Sequence, residues 1–306
     1  MRADPITIDR LWLAAIGSAA RGHYASARRD LALAERIAGG RARDAAHGVR
    51  LARVFVAAAS IARQLGDHRA GARYDGRAAV LVAAARSGTE GSGTPAGIGV
   101  AEALWIDAIA GAAADALGDG GIARAAGIAR RLDALTPAPA RDRTEAANDV
   151  WDTAAGAPPA DGWEVTASAL CASEVPARGP SGRELVRAGW VRAEIAMTAG
   201  DGGAAVAAAT GALDRASIGG SCRHRIKSAL VLAAARVVAG EPDGARPLVE
   251  AVRAAADDHG HLPLLWAAGM LAPAVGLDAP EGPAVTAELG RRGGLPTVLG
   301  ARSFAR

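Results

Sequence analysis

The sequence predicts an all-helical fold, and three observations support this prediction. Alanine is the commonest of the 306 residues, whereas the aromatic residues that favour strands make up only 3%. Alanine has the highest helix propensity because it loses no side-chain entropy in a helix. A glycine-containing turn also recurs between apolar stretches of helical length, and no segment has the pattern of a strand. We therefore expect helices that pack through small side chains.

The recurring turn has a glycine followed by polar or small residues. Its glycines are Gly22, Gly66, Gly118, Gly200 and Gly240. Their spacings of 44, 52, 82 and 40 residues indicate a period near 40, and the longest interval leaves room for one further unit at residues 140–176. Ala or Gly stands seven residues before and five residues after each of them. We expect each glycine to end a helix in the left-handed conformation, with the small residues where antiparallel helices approach closely.

This pattern resembles the tetratricopeptide repeat, which has a small residue in its first helix, a Gly-Asp-Tyr-like turn and small residues in its second helix. In the first unit, Gly22, Tyr24, Ala27, Leu31 and Ala34 occupy the turn, aromatic, small, large and small positions of the family. The period exceeds the family's 34 residues, as in the longer repeats of bacterial regulatory proteins. The resemblance implies a right-handed α-solenoid of antiparallel helix pairs with five to six degenerate repeats.

Composition divides the chain into four parts. Residues 1–86 are predicted to form basic N-terminal helix pairs, and residues 87–100 form a connector rich in Gly, Ser and Thr. Residues 101–276 form further pairs with an irregular insert at about 153–182, and residues 277–306 form a C-terminal cap and tail. We expect a cytoplasmic protein that does not enter membranes, because no apolar run approaches ~20 residues and no signal peptide is evident.

Charge is unevenly spread along the chain. Residues 1–86 contain fifteen Arg against seven Asp and Glu, a balance of +8, and residues 87–175 contain five against thirteen, a balance of −8. The basic third is therefore a candidate surface for an acidic partner or for nucleic acid. Alternatively, the two thirds are adjacent and partly neutralise each other. Lys227 is the single lysine beside thirty-four arginines, a bias that a GC-rich bacterial genome explains.

No catalytic motif, cofactor site or metal site is predicted. The glycines of residues 91–97 lack the preceding strand and the following Lys of a nucleotide-binding loop. Residues 257–261 contain Asp and His, but they are more simply the polar end of a helix. The basic run at 223–227 either meets an anionic group or is the solvated start of an amphipathic helix, and we favour the latter. Cys171 and Cys222 show no disulfide framework, and we expect both to be small buried apolar residues.

The resemblance also assigns a concave groove to the first helix of each pair. In tetratricopeptide solenoids, positions about thirteen, ten, six and three before the turn glycine face this groove. The corresponding partner-binding residues are Trp12, Ile16, Arg53, Arg63, Trp105, Asp115, Arg187, Trp190, Glu194 and Lys227. Trp and Arg dominate binding hot spots, although the tryptophans could instead fill gaps between helices.

The sequence therefore predicts a non-enzymatic scaffold or adaptor that holds a peptide segment or partner protein of acidic character. The resemblance adds the expectation of a bacterial regulatory complex. Two alternatives stay open: nucleic-acid binding by the basic N-terminal third, and a small-molecule sensor. A deep closed pocket with convergent polar groups would favour the last of these.

Overall fold

Twelve α-helices make up most of the part of the chain that the structure describes. The computed structural model describes residues 5–39, 45–87, 99–136, 182–219 and 221–294. The helices are α1 (Pro5–Ala20), α2 (Tyr24–Gly39), α3 (Ala45–Gln64), α4 (His68–Ser87), α5 (Val100–Gly118), α6 (Ile122–Leu135), α7 (Arg183–Thr198), α8 (Gly202–Gly219), α9 (Cys222–Val238), α10 (Pro242–Asp258), α11 (Leu262–Leu271) and α12 (Gly282–Arg291). A short 3-10 helix, Ala272–Val275, follows α11. No strand occurs in these ranges, and the predicted all-α class is confirmed.

Consecutive helices pack in pairs, α1 with α2, α3 with α4, and so on to α11 with α12. The first helices of successive pairs also contact one another, from α1 through α3, α5, α7 and α9 to α11. The partners run antiparallel because short connections join them. Most of the predicted connector and insert, and the proposed extra unit at residues 140–176, lie outside the described residues.

The turn glycines end the first helix of each pair as predicted. Four of them have φ between 77° and 81°: Gly22, Gly66, Gly200 and Gly240. After α1, the Gly22 amide donates to the Ala19 carbonyl at 3.0 Å and the His23 amide donates to the Ser18 carbonyl at 2.9 Å. These two bonds satisfy carbonyls that the last helical turn leaves without partners. The turn chemistry of the sequence thus sets where one helix stops and the next begins.

The third turn differs from the sequence prediction by two residues. Gly118 is the last residue of α5, and the glycine with positive φ, 84°, is Gly120. Counting from Gly120 puts Ala113 and Ala125 at the small positions, and both are fully buried. Ala123, which the original count selected, is exposed. The segment Gly-Asp-Gly offered two glycines, and local sequence does not choose between them.

Small residues at these positions allow the two helices of each pair to approach closely. With the corrected third turn, those in the first helices are Ala15, Ala59, Ala113, Ala193 and Ala233, and those in the second helices are Ala27, Gly71, Ala125, Ala205 and Ala245; all ten are buried. A similar contact joins α7 to α8, where a Cβ added to Gly189 would lie 2.8 Å from the Cβ of Ala212. Larger side chains here would force the helices apart.

The helices close into a ring, because α12 reaches the turn between α1 and α2. The Ala25 amide donates a 3.0 Å hydrogen bond to the Arg292 carbonyl. Arg292 Nη1 donates a 2.8 Å bond to the Arg21 carbonyl. Packing is tight, since a Cβ on Gly22 would lie 2.6 Å from Leu289 Cδ2. The concave face of the helix pairs consequently bounds an interior space.

Candidate ligand-binding cavity

A cavity of about 780 Å³, partly open to solvent, lies inside the ring. The first helices, α1, α3, α5, α7, α9 and α11, supply most of its wall. Its apolar parts include Ile16, Val56, Leu230 and Trp266. Cavities that hold small ligands measure about 300–1,000 Å³, so this one is large enough for a ligand.

Six of the ten residues predicted for the groove line this cavity. They are Ile16, Arg63, Arg187, Trp190, Glu194 and Lys227. All six belong to first helices, and they lie three to thirteen residues before a turn glycine with positive φ. The offset rule therefore identifies the inner face of these helices, while a role in binding a partner stays a prediction.

Trp12 and Arg53 are not part of the cavity wall, and they contact each other instead. The Arg53 guanidinium lies 4.1 Å from the centroid of the Trp12 ring. The same guanidinium is 3.5 Å from Asp9 Oδ1. These contacts hold the two side chains together at a partly exposed site between α1 and α3.

Trp105 and Asp115, thirteen and three residues before Gly118, are also absent from the wall. Counting from Gly120 brings Ala110 and Ala114, at offsets of ten and six, onto the wall, but Asp107 and Leu117, at offsets of thirteen and three, do not line it. Asp115 is buried between helices. The displaced turn therefore corrects two of the four inward positions of α5.

Asp107 of α5 holds two arginines at the edge of the cavity. Its Oδ2 is 2.5 Å from Arg183 Nη2 and its Oδ1 is 2.6 Å from Arg187 Nη1. Burial opposes ionisation, but the two guanidinium groups outweigh it and hold the pKa of Asp107 below its usual value. One carboxylate therefore pairs with two guanidinium groups, and Glu184 is a further carboxylate near them whose pKa is raised by burial.

A stack of three side chains forms the neighbouring wall. The rings of Trp190 and His224 are 5.6 Å apart and nearly parallel, at 14°. Lys227 Nζ lies 4.2 Å from the Trp190 ring centroid, a cation–π geometry. Trp190 Nε1 also donates a 2.8 Å hydrogen bond to Ser228 Oγ. The buried indole is thereby fixed, and the Lys227 ammonium is held at the cavity surface.

Arg223 lies at the start of α9, and its guanidinium is buried with few hydrogen-bond partners in the described ranges. Its Nη2 is 3.5 Å from Gln64 Oε1, at the limit of a hydrogen bond. Its Nε is buried and finds no hydrogen-bond partner in the described part of the chain. Burial lowers the pKa of Arg223, and repulsion from Arg187 and Arg183 lowers it further.

The basic run at 223–227 is not the solvated helix start that the sequence favours. Arg223, His224 and Lys227 line the cavity, and Arg225 is 5% exposed. The reason is tertiary: α9 is an inner helix packed between α7 and α11, so its first turns face the interior. Helical periodicity alone could not distinguish an inner helix from an outer one.

A second charged cluster links α3, α4 and α5. Arg63 Nη1 lies 2.5 Å from Asp75 Oδ2 and 2.9 Å from Asp115 Oδ2, and His68 Nδ1 lies 3.3 Å from Asp115 Oδ1. Burial raises the pKa of Asp75 to about 7, more than the Arg63 guanidinium lowers it. Here the carboxylates outnumber the guanidinium, so this cluster carries no surplus positive charge.

Three glycines make room for this cluster. A Cβ on Gly71 would lie 2.6 Å from Asp115 Oδ1, and one on Gly111 would lie 2.0 Å from Asp75 Oδ2. A Cβ on Gly118 would lie 2.2 Å from the His68 ring. Gly118 therefore serves side-chain packing, while Gly120 makes the turn.

The residues that the sequence did not single out for this cavity include Asp107, Arg183 and Gln64. Arg183 and Arg187 are separated from Asp107 by 76 and 80 positions. No local motif marks pairs so distant. The one available signal was that Arg183 stands one helical turn before Arg187, which was predicted to face the groove.

The cysteine prediction is wrong for Cys222, which is disulfide-bonded. The sequence contains one other cysteine, Cys171, which lies outside the described residues. Across the described ranges, no group of three or more His, Cys, Asp or Glu residues is arranged to hold a metal ion. Residues 257–261 contribute instead a stacked pair, His259 and His261, with ring centroids 6.2 Å apart.

The basic first third and the acidic second third do meet, as one alternative predicted. Arg63 contacts Asp115, and Arg86 Nη2 lies 3.0 Å from Glu102 Oε2. The outer helix α2 nevertheless presents exposed arginines such as Arg36, so nucleic-acid binding stays a prediction. No helix in the described ranges combines the length and apolarity needed to cross a membrane.

These features define the chain as an all-helical protein of consecutive helix pairs that surround a cationic cavity. Comparisons with protein-family models, with curated proteins and with solved structures found no match. The packing of consecutive pairs is compatible with a helical repeat. The tetratricopeptide assignment, the right-handed superhelix and the number of repeats stay predictions.

Proposed function

We propose that the protein binds an acidic ligand in its central cavity and performs no chemistry on it. The observation that carries this proposal is the surplus of positive charge on the α7 and α9 side of the cavity. Arg183 and Arg187 share one carboxylate, and Arg223 lies near them without a carboxylate partner in the described ranges. Enclosed cations are costly unless an anion accompanies them.

The ring favours a compact occupant. The sequence predicted a peptide segment or partner protein in an open groove, but α12 closes the groove against the α1–α2 turn. A volume of about 780 Å³ suits a small organic anion, which makes a small-molecule sensor our leading candidate. The acidic end of a partner's peptide is the second candidate, and it would place the protein in a regulatory assembly as the tetratricopeptide resemblance implies.

The test is to identify what leaves the native protein on unfolding. The protein would be purified from its own cells under mild conditions, denatured, and the released molecules analysed by mass spectrometry. Arg223→Gln, in the cavity, would be compared with Arg36→Gln, on the exposed face of α2. We expect an acidic compound or peptide with the wild type and Arg36→Gln, and its loss with Arg223→Gln.

Equal recovery from both variants, or no acidic ligand from any of the three proteins, would refute the proposal. Circular dichroism checks that Arg223→Gln folds. Trp190→Ala is a poorer variant, because Trp190 is 5% exposed and its removal would cost about 3–5 kcal/mol of stability.

A further inference from the structure

We infer that Arg183, Arg187, Arg223 and Lys227 form a subsite for a phosphoryl group, a dianion; we call these four residues the anion subsite. This inference rests on the proposed function and names the chemical class of its ligand. The four residues project from α7 and α9 into the same cavity. The Trp190–His224 stack lies beside them.

The anion subsite carries more positive than negative charge. Its four cations are accompanied by three carboxylates, which are Asp107 on the two α7 arginines, Glu184 beside Arg183 and Glu194 near Lys227. One positive charge remains, and burial raises the pKa of Glu184. A phosphate monoester offers these donors three acceptor oxygens and a charge of about −1.5 to −2 at neutral pH, whereas a carboxylate offers two oxygens and one charge.

Two donors of the anion subsite have no hydrogen-bond partner in the described ranges. Arg223 Nε is buried with no hydrogen-bond partner in the described ranges. Lys227 has no hydrogen bond or ion pair there either, and its Nζ lies 4.2 Å from the centroid of the Trp190 ring. Arginine and lysine donors are the usual ligands of phosphoryl oxygens.

The cations of the anion subsite repel one another, which favours the binding of an anion. Burial lowers the pKa of Lys227 to about 8; Glu194 opposes this shift, while Arg223, Arg187 and Arg63 add to it. Burial lowers the pKa of His224 to about 3, and Arg183, Arg223 and Arg187 contribute to this shift, so that its ring stays neutral. A bound dianion would attract the Lys227 ammonium and thereby raise the pKa of Lys227.

The chain offers a direct reporter of occupancy, because Lys227 is its single lysine. An amine-specific acetylating reagent modifies Lys227 and the α-amino group alone, and mass spectrometry separates the two sites. Labelling would be followed from pH 6 to 10, at constant ionic strength, with inorganic phosphate, phenyl phosphate, acetate or chloride. The α-amino group serves as the internal control.

We expect either phosphate compound to slow the labelling of Lys227, by about tenfold near neutral pH for each unit by which its pKa rises. Protection by phenyl phosphate at lower concentration indicates a phosphorylated organic ligand, because the apolar wall adds contacts. Protection by inorganic phosphate alone indicates the free ion. Arg223→Gln should abolish protection, and Arg36→Gln should preserve it.

No protection by either phosphate compound would overturn the inference, and so would equal protection by acetate. Because labelling of the wild type suffices for this result, a variant that fails to fold does not obscure it. A phosphorus-free acidic ligand, recovered from cells and dependent on Arg223, would reject the phosphoryl subsite and leave the proposed function intact.

Discussion

Gly111 can be tested as the residue that lets α5 pack against the buried Arg63–Asp75 pair. A Cβ at this position would lie 2.0 Å from Asp75 Oδ2 and 2.9 Å from Arg63 Nη1. Asp75 is 1% exposed, so its carboxylate cannot swing into solvent. In Gly111→Ala, therefore, either the helices separate or Asp75 leaves Arg63.

The expected loss of stability depends on which of these two rearrangements occurs. Separating packed helices costs about 1–3 kcal/mol, and breaking a buried ion pair costs about 3–5 kcal/mol. The gain in helix propensity from Gly to Ala returns about 1 kcal/mol. We expect Gly111→Ala to lower the free energy of unfolding by about 2 kcal/mol or more, with the remaining Arg63–Asp115 contact limiting the loss.

Gly76→Ala is the matched control. Gly76 is an exposed residue in α4, and a Cβ there meets nothing within 4 Å. The same substitution should raise stability by about 0.5–1 kcal/mol. Urea unfolding followed by circular dichroism measures both variants. Equal stabilities of Gly111→Ala and Gly76→Ala would refute the close approach of α5 to the buried pair.

Two further predictions concern pH and ring closure. Burial raises the pKa of Asp75 from 3.8 to about 7, so the folded state retains the proton between these values and Asp75 contributes less stability as pH rises through them. Burial lowers the pKa values of His224 and His261 to about 3 and about 4, so these histidines make the protein more stable as pH rises. The difference in unfolding free energy between the wild type and Asp75→Asn isolates the contribution of Asp75. Measured by urea unfolding, this difference should fall from pH 4 to pH 7. A constant difference would contradict the shifted pKa. In Gly293→Ala, a Cβ would lie 2.8 Å from the Ala25 nitrogen at a φ of 92°, so the Ala25 amide should exchange hydrogen faster while helix content is unchanged. Unaltered exchange would mean that the contact between α12 and the α1–α2 turn does not depend on Gly293.

Much of the architecture could be predicted because its causes are local. A helix forms bonds four residues apart, and a glycine with positive φ ends it through bonds within the same turn. Gly22 and Gly66 were therefore identified from a few neighbouring residues each. The inner face followed from the same turns, since Arg63, Arg187 and Lys227 lie at fixed helical offsets before them.

The third turn shows where local information ends. Gly118 and Gly120 are both compatible with a helix end, and their difference comes from His68 of α4, which fills the space beside Gly118. That contact joins residues about fifty positions apart. Two groove residues, Trp105 and Asp115, were placed by the wrong glycine as a result.

The sequence by itself determined that this protein is all helical and built of consecutive pairs, because helix propensity and turn chemistry act between near neighbours. Only the tertiary structure decided that the pairs close into a ring, through α12 and the α1–α2 turn. It also decided that Asp107 meets Arg187 across 80 positions and that Arg223 Nε is buried with no hydrogen-bond partner in the described ranges. Such pairings give the cavity its charge. They depend on how all the helices between the two residues are oriented relative to one another, and no short sequence pattern encodes this.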